Sequence, residues 1–230
     1  MKTLILIPAK AASTRLKHKN MRLLAGKPLI SWAIDAAKAS GLAANIIVST
    51  EDEQIADYVK TCEVEALIRP EKLAVDPAGV VDVALHALEV LRQQGRSFKT
   101  LIILLPTCPF RTAEDIQAAV QLFEEKNGRF LMSVSQYTHT PFAALRINDE
   151  QLLNPYFAEY IGKKSQQMPV AYRANGAIHV LDVAAFEEAK SYYAQPLIAY
   201  VMPHERSIDI DTEEDLQYAE FLLEKKFSNL

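Results

Sequence analysis

Four short runs, "TLILIP" (Thr3–Pro8), "IIVST" (Ile46–Thr50), "TLIILL" (Thr100–Leu105) and "FLMSVS" (Phe130–Ser135), are apolar almost without interruption. A strand with one face in water alternates apolar and polar residues, so continuous runs imply strands covered on both faces. Between them lie amphipathic segments of helical length. Pro28–Ser40 gathers Leu29, Trp32, Ala33, Ala36 and Ala37 on one face and meets Gly41 as a stop. Glu51–Thr61 opens with acids suited to a helix N-terminus, Val80–Gln94 turns Val83, Leu85, Ala87, Leu88 and Leu91 inward, and Thr112–Lys126 sets Thr112 three residues before Asp115 as a cap. Strand–helix alternation of this kind predicts right-handed βαβ units, hence an α/β, Rossmann-like three-layer domain around a mostly parallel sheet.

The rhythm breaks between Tyr137 and Tyr172, where Pro141, Pro155 and Pro169 are interleaved with aromatic and polar residues. Short strand-like pieces near Phe142–Ile147 are the only regular elements expected there, so 137–172 is an excursion from the main sheet. Alternation resumes with a strand at Gly176–Leu181, a helix at Val183–Tyr192 and a strand at Leu197–Met202. A short strand then ends in Asp209 and Asp211, and a helix starts after Thr212.

The 230 residues fit one domain spanning 1–230, and the 50% hydrophobic content supplies an ample core. A net charge of −4 argues against nucleic acid as partner and makes any basic cluster a local feature. No stretch approaches the roughly 20 apolar residues of a membrane span. Leu4–Pro8 is too short for a signal-peptide core, and two distant cysteines, Cys62 and Cys108, suit a reducing compartment. These features predict a cytoplasmic protein. The five histidines show no metal-ligand spacing with either cysteine.

The first strand runs into Lys10, Arg15, Lys17, Lys19 and Arg22 with no acidic residue among them. In open α/β sheets ligands bind beyond the carboxyl ends of the strands. The small residues Ala9, Ala11, Ala12 and Ser13 let backbone N–H groups approach phosphate oxygens, with Arg15 and Lys19 supplying charge. The stretch lacks the P-loop pattern, and Gly26 is the only nearby glycine, so it is no dinucleotide fingerprint. By itself it fits a solvated basic loop as well as a phosphate cradle. Near the other end, "SIDIDTEEDL" alternates Asp209 and Asp211, which on a strand directs both carboxylates to one face. Such a pair can hold Mg²⁺ together with substrate phosphates. Alternatively, Asp211 caps the following helix and Asp209 pairs with a cation. Together, the basic loop and the acidic pair form complementary halves of a nucleotidyl-transfer site.

Several motifs carry a resemblance. Pro8-Ala9-Lys10-Ala11-Ala12-Ser13, Lys19-Asn20 and Gly26-Lys27-Pro28-Leu29-Ile30 are followed in order by "VSTEDEQIA", "RPEKLA", "DVALHALE", "PTCPFRTAEDI", "YRANGAIHV" and "DIDTEEDL". Over nearly the whole chain the sequence resembles the CMP-sugar synthetases, the acylneuraminate cytidylyltransferases. "ASTRL" (Ala12–Leu16) is similar to the 3-deoxy-manno-octulosonate branch.

The resemblance implies a nucleotidyltransferase fold and a Mg²⁺-dependent transfer of CMP from CTP to the anomeric hydroxyl of a 2-keto-3-deoxy sugar acid. It implies that Ser13, Arg15, Lys19 and Asn20, in a loop with Ala9, Lys10 and Ala11, contact the phosphates and ribose. Arg69 would lie near the base, and Asp209 and Asp211 would hold the metal. Arg15, Lys19, Asp209 and Asp211 form the catalytic set. Leu105, Arg111, Arg173 and Asn175 would face the sugar acid. The 137–172 excursion would be the dimerisation region of a homodimer.

The chain also departs from the family pattern. Ala11 and Ala12 replace paired glycines, Lys10 an arginine, Leu105 a glutamine and Val80 a serine. A sialic-acid-like nonulosonate is the expected sugar acid; "ASTRL" leaves open an octulosonate-type synthetase, and Ala11, Ala12 and Val80 leave open a homologue that binds nucleotide without turnover. Cys108, His86, His179 and Trp32 are expected to pack rather than react.

Overall fold

The computed structural model describes residues 2–42 and 45–227. Seven strands form one sheet: β1 (Thr3–Pro8), β2 (Asn45–Thr50), β3 (Glu65–Ile68), β4 (Thr100–Ile103), β5 (Phe130–Gln136), β6 (Tyr172–Asp182) and β7 (Leu197–Val201). Their spatial order is β7-β5-β6-β4-β1-β2-β3. Only β6 runs antiparallel to its neighbours; every other pairing is parallel. The mostly parallel α/β sheet is therefore present as expected.

The continuous apolar runs are explained by what covers each face. In β1, Ile5 and Ile7 pack under α1 (Leu29–Ser40), α2 (Glu53–Thr61) and α4 (Ala113–Glu125). Leu4 and Leu6 pack on the opposite face with α3 (Val80–Gln93) and α5 (Val183–Ala189). β4 divides in the same way, Ile102 to one layer and Leu101 and Ile103 to the other. A third cluster seats α6 (Glu213–Phe227) through Leu216, Ala219 and Leu223 on Leu16, Leu24, Leu29 and the buried Ile208 and Ile210.

Local chemistry sets several boundaries. Thr112 and Asp115 form the anticipated reciprocal cap of α4. α2 begins at Glu53, because the Asp52 side chain accepts from the Ile55 amide at 2.8 Å; Glu51 is thereby left outside the helix. α5 stops at Ala189, short of the expected Tyr192, where Lys190 adopts a left-handed backbone. β3 has no counterpart in the sequence reading.

The expected strand at Asp209–Asp211 does not form. Its backbone joins no sheet ladder; the Ile210 amide donates instead to the Thr107 carbonyl at 2.8 Å. Burial nevertheless alternates, Ile208 and Ile210 inward and Asp209 and Asp211 outward.

Residues 137–171 contain three-residue 3₁₀ turns and one antiparallel ribbon pairing Leu145–Ile147 with Leu153–Pro155. Phe142 anchors this excursion against Phe157 and Tyr160, at centroid distances of 5.2 and 4.9 Å. Among the described residues, no helix is long and apolar enough to cross a membrane.

Candidate active site

β1 lies between β2 and β4, and the chain adds strands first from β1 toward the β3 edge and then from β4 toward the β7 edge. This reversal opens a crevice beyond the carboxyl ends of β1 and β4. A cleft fills it, lined by Lys10, Lys19 and Asn20 on one side and by Asp209 and Asp211 below. Arg69 and an apolar wall that includes Leu73, Val80, Val83 and Leu105 complete it.

The basic loop is held in shape by its own polar groups. Asn20, buried, donates from Nδ2 to the Lys10 carbonyl at 2.8 Å. The Ala9 amide donates to Ser49 and the Ala11 amide to Glu51. These two N–H groups are thus engaged within the protein, and the expectation that they cradle phosphate does not match this geometry. No residue from Ala9 to Ser13 has positive φ, so Ala11 and Ala12 occupy the loop without backbone strain.

The acidic side is ordered by the cap of α6. Asp215 accepts from the Asp211 amide at 3.0 Å and the Thr212 amide at 2.9 Å, and the Thr212 hydroxyl accepts from the Asp215 amide. Capping is done by Thr212 and Asp215, which leaves the Asp211 carboxylate for other partners. It takes Lys19 at 2.7 Å on one oxygen and Arg15 at 2.6 Å on the other. Burial pushes Asp211 upward, but Lys19 and Arg15 outweigh it and hold the carboxyl below its ordinary range. Asp209 has no ion-pair partner among the described residues. Burial raises its pKa and the neighbouring Asp211 adds to the rise, against a Thr107 hydrogen bond.

A divalent cation would reverse that penalty. No group of three or more His, Cys, Asp or Glu residues with metal-binding geometry occurs among the described residues. Two carboxylates facing one cleft still suit Mg²⁺, a hard ion that takes its other oxygens from phosphates and water.

The residues expected at the sugar fare differently. Leu105 lines the cleft; Arg111, Arg173 and Asn175 do not. Arg111 is buried behind the wall, donates to the Leu105 carbonyl, and has its pKa lowered by burial to about 10. Arg173 is exposed on β6 opposite Ser135. Asn175 is fully engaged in the core: its Oδ1 accepts from Ser133 at 2.6 Å and from the Ala177 amide at 3.2 Å, and its Nδ2 donates to Ser207 at 2.9 Å. A bulge follows it, with Gly176 at φ +70°, and a Cβ there would meet the Leu105 side chain at 3.1 Å. The bulge sets the direction of these side chains through tertiary register, which the motif does not encode.

Cys108 is buried, donates to the Asn175 carbonyl at 3.0 Å, and is pushed by burial to about 12, so it packs rather than reacts. His179 also packs, against Tyr192. Ser13 and Arg15 are not among the cleft-lining residues, although Arg15 reaches Asp211 from its rim.

Sequence reading missed Glu51, taken only as an acid at a helix start. Its signal lay in Asp52, whose stronger capping preference moves the helix start past Glu51.

Comparison with known proteins agrees with this geometry. The chain is 35% identical over 227 residues to the CMP-N,N'-diacetyllegionaminic acid synthase of Legionella pneumophila, covering 97% of each protein. It is 30% identical to the N-acylneuraminate cytidylyltransferase of Escherichia coli, with 98% of this chain aligned to 53% of that longer protein. Among solved structures, a CMP:2-keto-3-deoxy-manno-octonic acid synthetase complexed with CTP superposes with a TM-score of 0.74 at 15% identity, over 98% of this chain and 100% of that one. The family profile described as cytidylyltransferase matches residues 4–227. With the cleft at the switch point of the same fold, the chain belongs to the cytidylyltransferase family of nucleotidyl-transferring enzymes.

Proposed function

We propose that this enzyme transfers CMP from CTP to the anomeric hydroxyl of a nonulosonic-type 2-keto-3-deoxy sugar acid and releases pyrophosphate. The observation that carries the reading is the convergence of Arg15, Lys19, Asp209 and Asp211 at the carboxyl ends of β1 and β4. The cations would neutralise the triphosphate while the apolar wall and Arg69 receive the nucleoside. Asp209 and Asp211 would hold Mg²⁺, which supplies charge neutralisation at the phosphate oxygens. The sugar oxygen forms its bond to the α-phosphorus as the bond to pyrophosphate breaks, and the hydroxyl proton leaves to solvent. Little covalent chemistry falls to the protein, so positioning and electrostatics account for the rate.

The nonulosonate class is favoured over octulosonate because relatives at 35% and 30% identity carry nonulosonate names, whereas the octonic acid synthetase shares the fold at 15%. Asp209, with no ion-pair partner among the described residues, beside Asp211 favours an active enzyme over a binding-only homologue. We further propose a homodimer formed through the 137–172 excursion, since Ile147, Leu153, Tyr156 and Ile161 are each more than half exposed there. Two free cysteines and use of CTP fit a cytoplasmic location.

Pyrophosphate release, measured with Mg²⁺, four nucleoside triphosphates and a panel of eight- and nine-carbon keto-deoxy acids, tests the assignment. Release with CTP and a nine-carbon acid is expected. Silence across the panel, or equal release with all four triphosphates, overturns it.

A further inference from the structure

One largely buried carboxylate outside the catalytic set ties the loop after β1 to an arginine that lines the cleft. Glu51 Oε1 accepts from the Ala11 amide at 2.7 Å, in the loop after β1. Its Oε2 accepts from Arg69 Nε at 3.1 Å and Nη2 at 2.8 Å. The side chains of Arg69 and Glu51 are 2% and 11% exposed, so water replaces neither contact readily. Arg69 is also fixed through its own backbone, its amide donating to the Thr50 carbonyl at 2.9 Å.

We propose that Glu51 is the positioning residue of the nucleotide site, locking the phosphate-side loop and the Arg69 guanidinium into one rigid unit. The chemistry favours this role over simple packing. A guanidinium has five N–H donors in a fixed fork, and Glu51 engages two of its nitrogens from one side. The remaining donors are left to the cleft that Arg69 lines. The second carboxylate oxygen, on the same rigid plane, sets the height of the Ala11 amide. Loop and arginine therefore keep a fixed separation, which a nucleotide spanning base and phosphates requires in advance of binding. Glutamine cannot replace it, because an amide offers one acceptor and one donor where N–H groups approach both oxygens. Aspartate is one methylene too short to span both.

The inference rests on the proposal that CTP occupies this cleft, and the test separates the two. Wild type, Glu51→Gln, Arg69→Lys and the double variant are compared as full chains in CTP titrations and pyrophosphate-release kinetics. Glu51→Gln is expected to raise the KM for CTP on the order of tenfold to a hundredfold, the scale of one lost charged hydrogen bond. The KM for the sugar acid stays within about twofold, and saturating CTP restores most of kcat. The double variant is no worse than the more affected single, because both cut the same link. An unchanged CTP KM in folded Glu51→Gln, or equal losses for both substrates, overturns the proposal. If Glu51→Gln does not fold, Arg69→Lys decides alone: it keeps the Ala11 contact and a charge but loses the fork, and a wild-type CTP KM overturns the proposal. Failure of the wild type to bind CTP instead sinks the functional reading on which it rests.

Discussion

Lys19 Nζ lies 2.7 Å from Asp211 Oδ1, joining residues 192 positions apart. Arg15 holds the other oxygen of the same carboxylate at 2.6 Å, so the basic loop and the acidic segment are one electrostatic unit. Asp211→Ala removes its centre. Because the pairs lie at a partly open surface, each is worth at most about 1 kcal/mol to folding. Pyrophosphate release is expected to fall on the order of a hundredfold or more, while the thermal midpoint shifts little. Near-normal turnover in this variant would remove Asp211 from the catalytic set.

Arg15 separates binding from folding more cleanly, because its side chain is 64% exposed and has no core to support. Arg15→Ala is expected to raise the KM for CTP about tenfold, as loss of a charged phosphate contact does. Its unfolding midpoint and its KM for the sugar acid are expected to match the wild type. A sugar-specific defect would move Arg15 to the other substrate.

Asn175 is expected to behave as a structural residue, although the family motif suggests a substrate contact. Replacement by alanine leaves the Ala177 amide and the Ser207 hydroxyl each short of a buried partner. The expected cost is about 2–4 kcal/mol in denaturant unfolding. At a temperature where the variant is folded, its KM for the sugar acid should be unchanged. A large KM effect with normal stability would restore the substrate role.

What the sequence revealed, and what it hid, follows from how local each signal is. β1 and the α4 cap were legible because continuous burial and the Thr112–Asp115 pair are encoded within a few residues. β3 escaped because "EALI" is a four-residue edge, charged at its first position and paired only with β2. "SIDID" imitates a strand because isoleucine and aspartate alternate in it, yet it joins no ladder and the Ile210 amide bonds the Thr107 loop instead. The basic loop and acidic pair were readable as composition, whereas the Glu51 bridge depends on Asp52 winning the α2 cap. The direction of Asn175 depends on Ser133 and Ser207, distant in sequence, and that of Arg111 on a fold-back to the Leu105 carbonyl, neither of which motif matching supplies.

Cysteine reactivity offers an independent check on packing. Cys108 is buried with its pKa near 12, while Cys62 is half-buried. A charged thiol reagent at neutral pH should leave Cys108 unmodified in the folded protein and label both thiols after denaturation. Peptide mapping that finds Cys108 modified under native conditions would show that the wall behind Leu105 opens.

Acid should destabilise the protein in two stages. His179 packs at a tilt against Tyr192, ring centroids 4.7 Å apart, and its Nδ1 has no partner; burial, reinforced by the charge of Arg111, lowers its pKa from 6.5 to about 4. A folded value below the unfolded one means that the unfolded chain takes up the proton first. The stability contributed by neutral His179 is therefore fully present above about pH 6.5 and is lost as pH falls toward 4. His86 is shifted the same way, by burial and then by Arg69 and Lys72, and adds to the slope. Asp115 acts lower on the scale. Burial raises it, but Arg206, the Thr112 amide and Tyr200 together hold it below its ordinary value. Its contribution is present above the unfolded value of 3.8 and is lost as pH falls through the lower folded one. Urea unfolding across pH 3–8 should show stability falling between pH 6.5 and 4, one proton giving about 1.4 kcal/mol per pH unit at most. His179→Gln should flatten that segment and preserve the drop below pH 4, and Asp115→Asn should do the reverse. An unaltered slope in His179→Gln would assign the upper stage to another group.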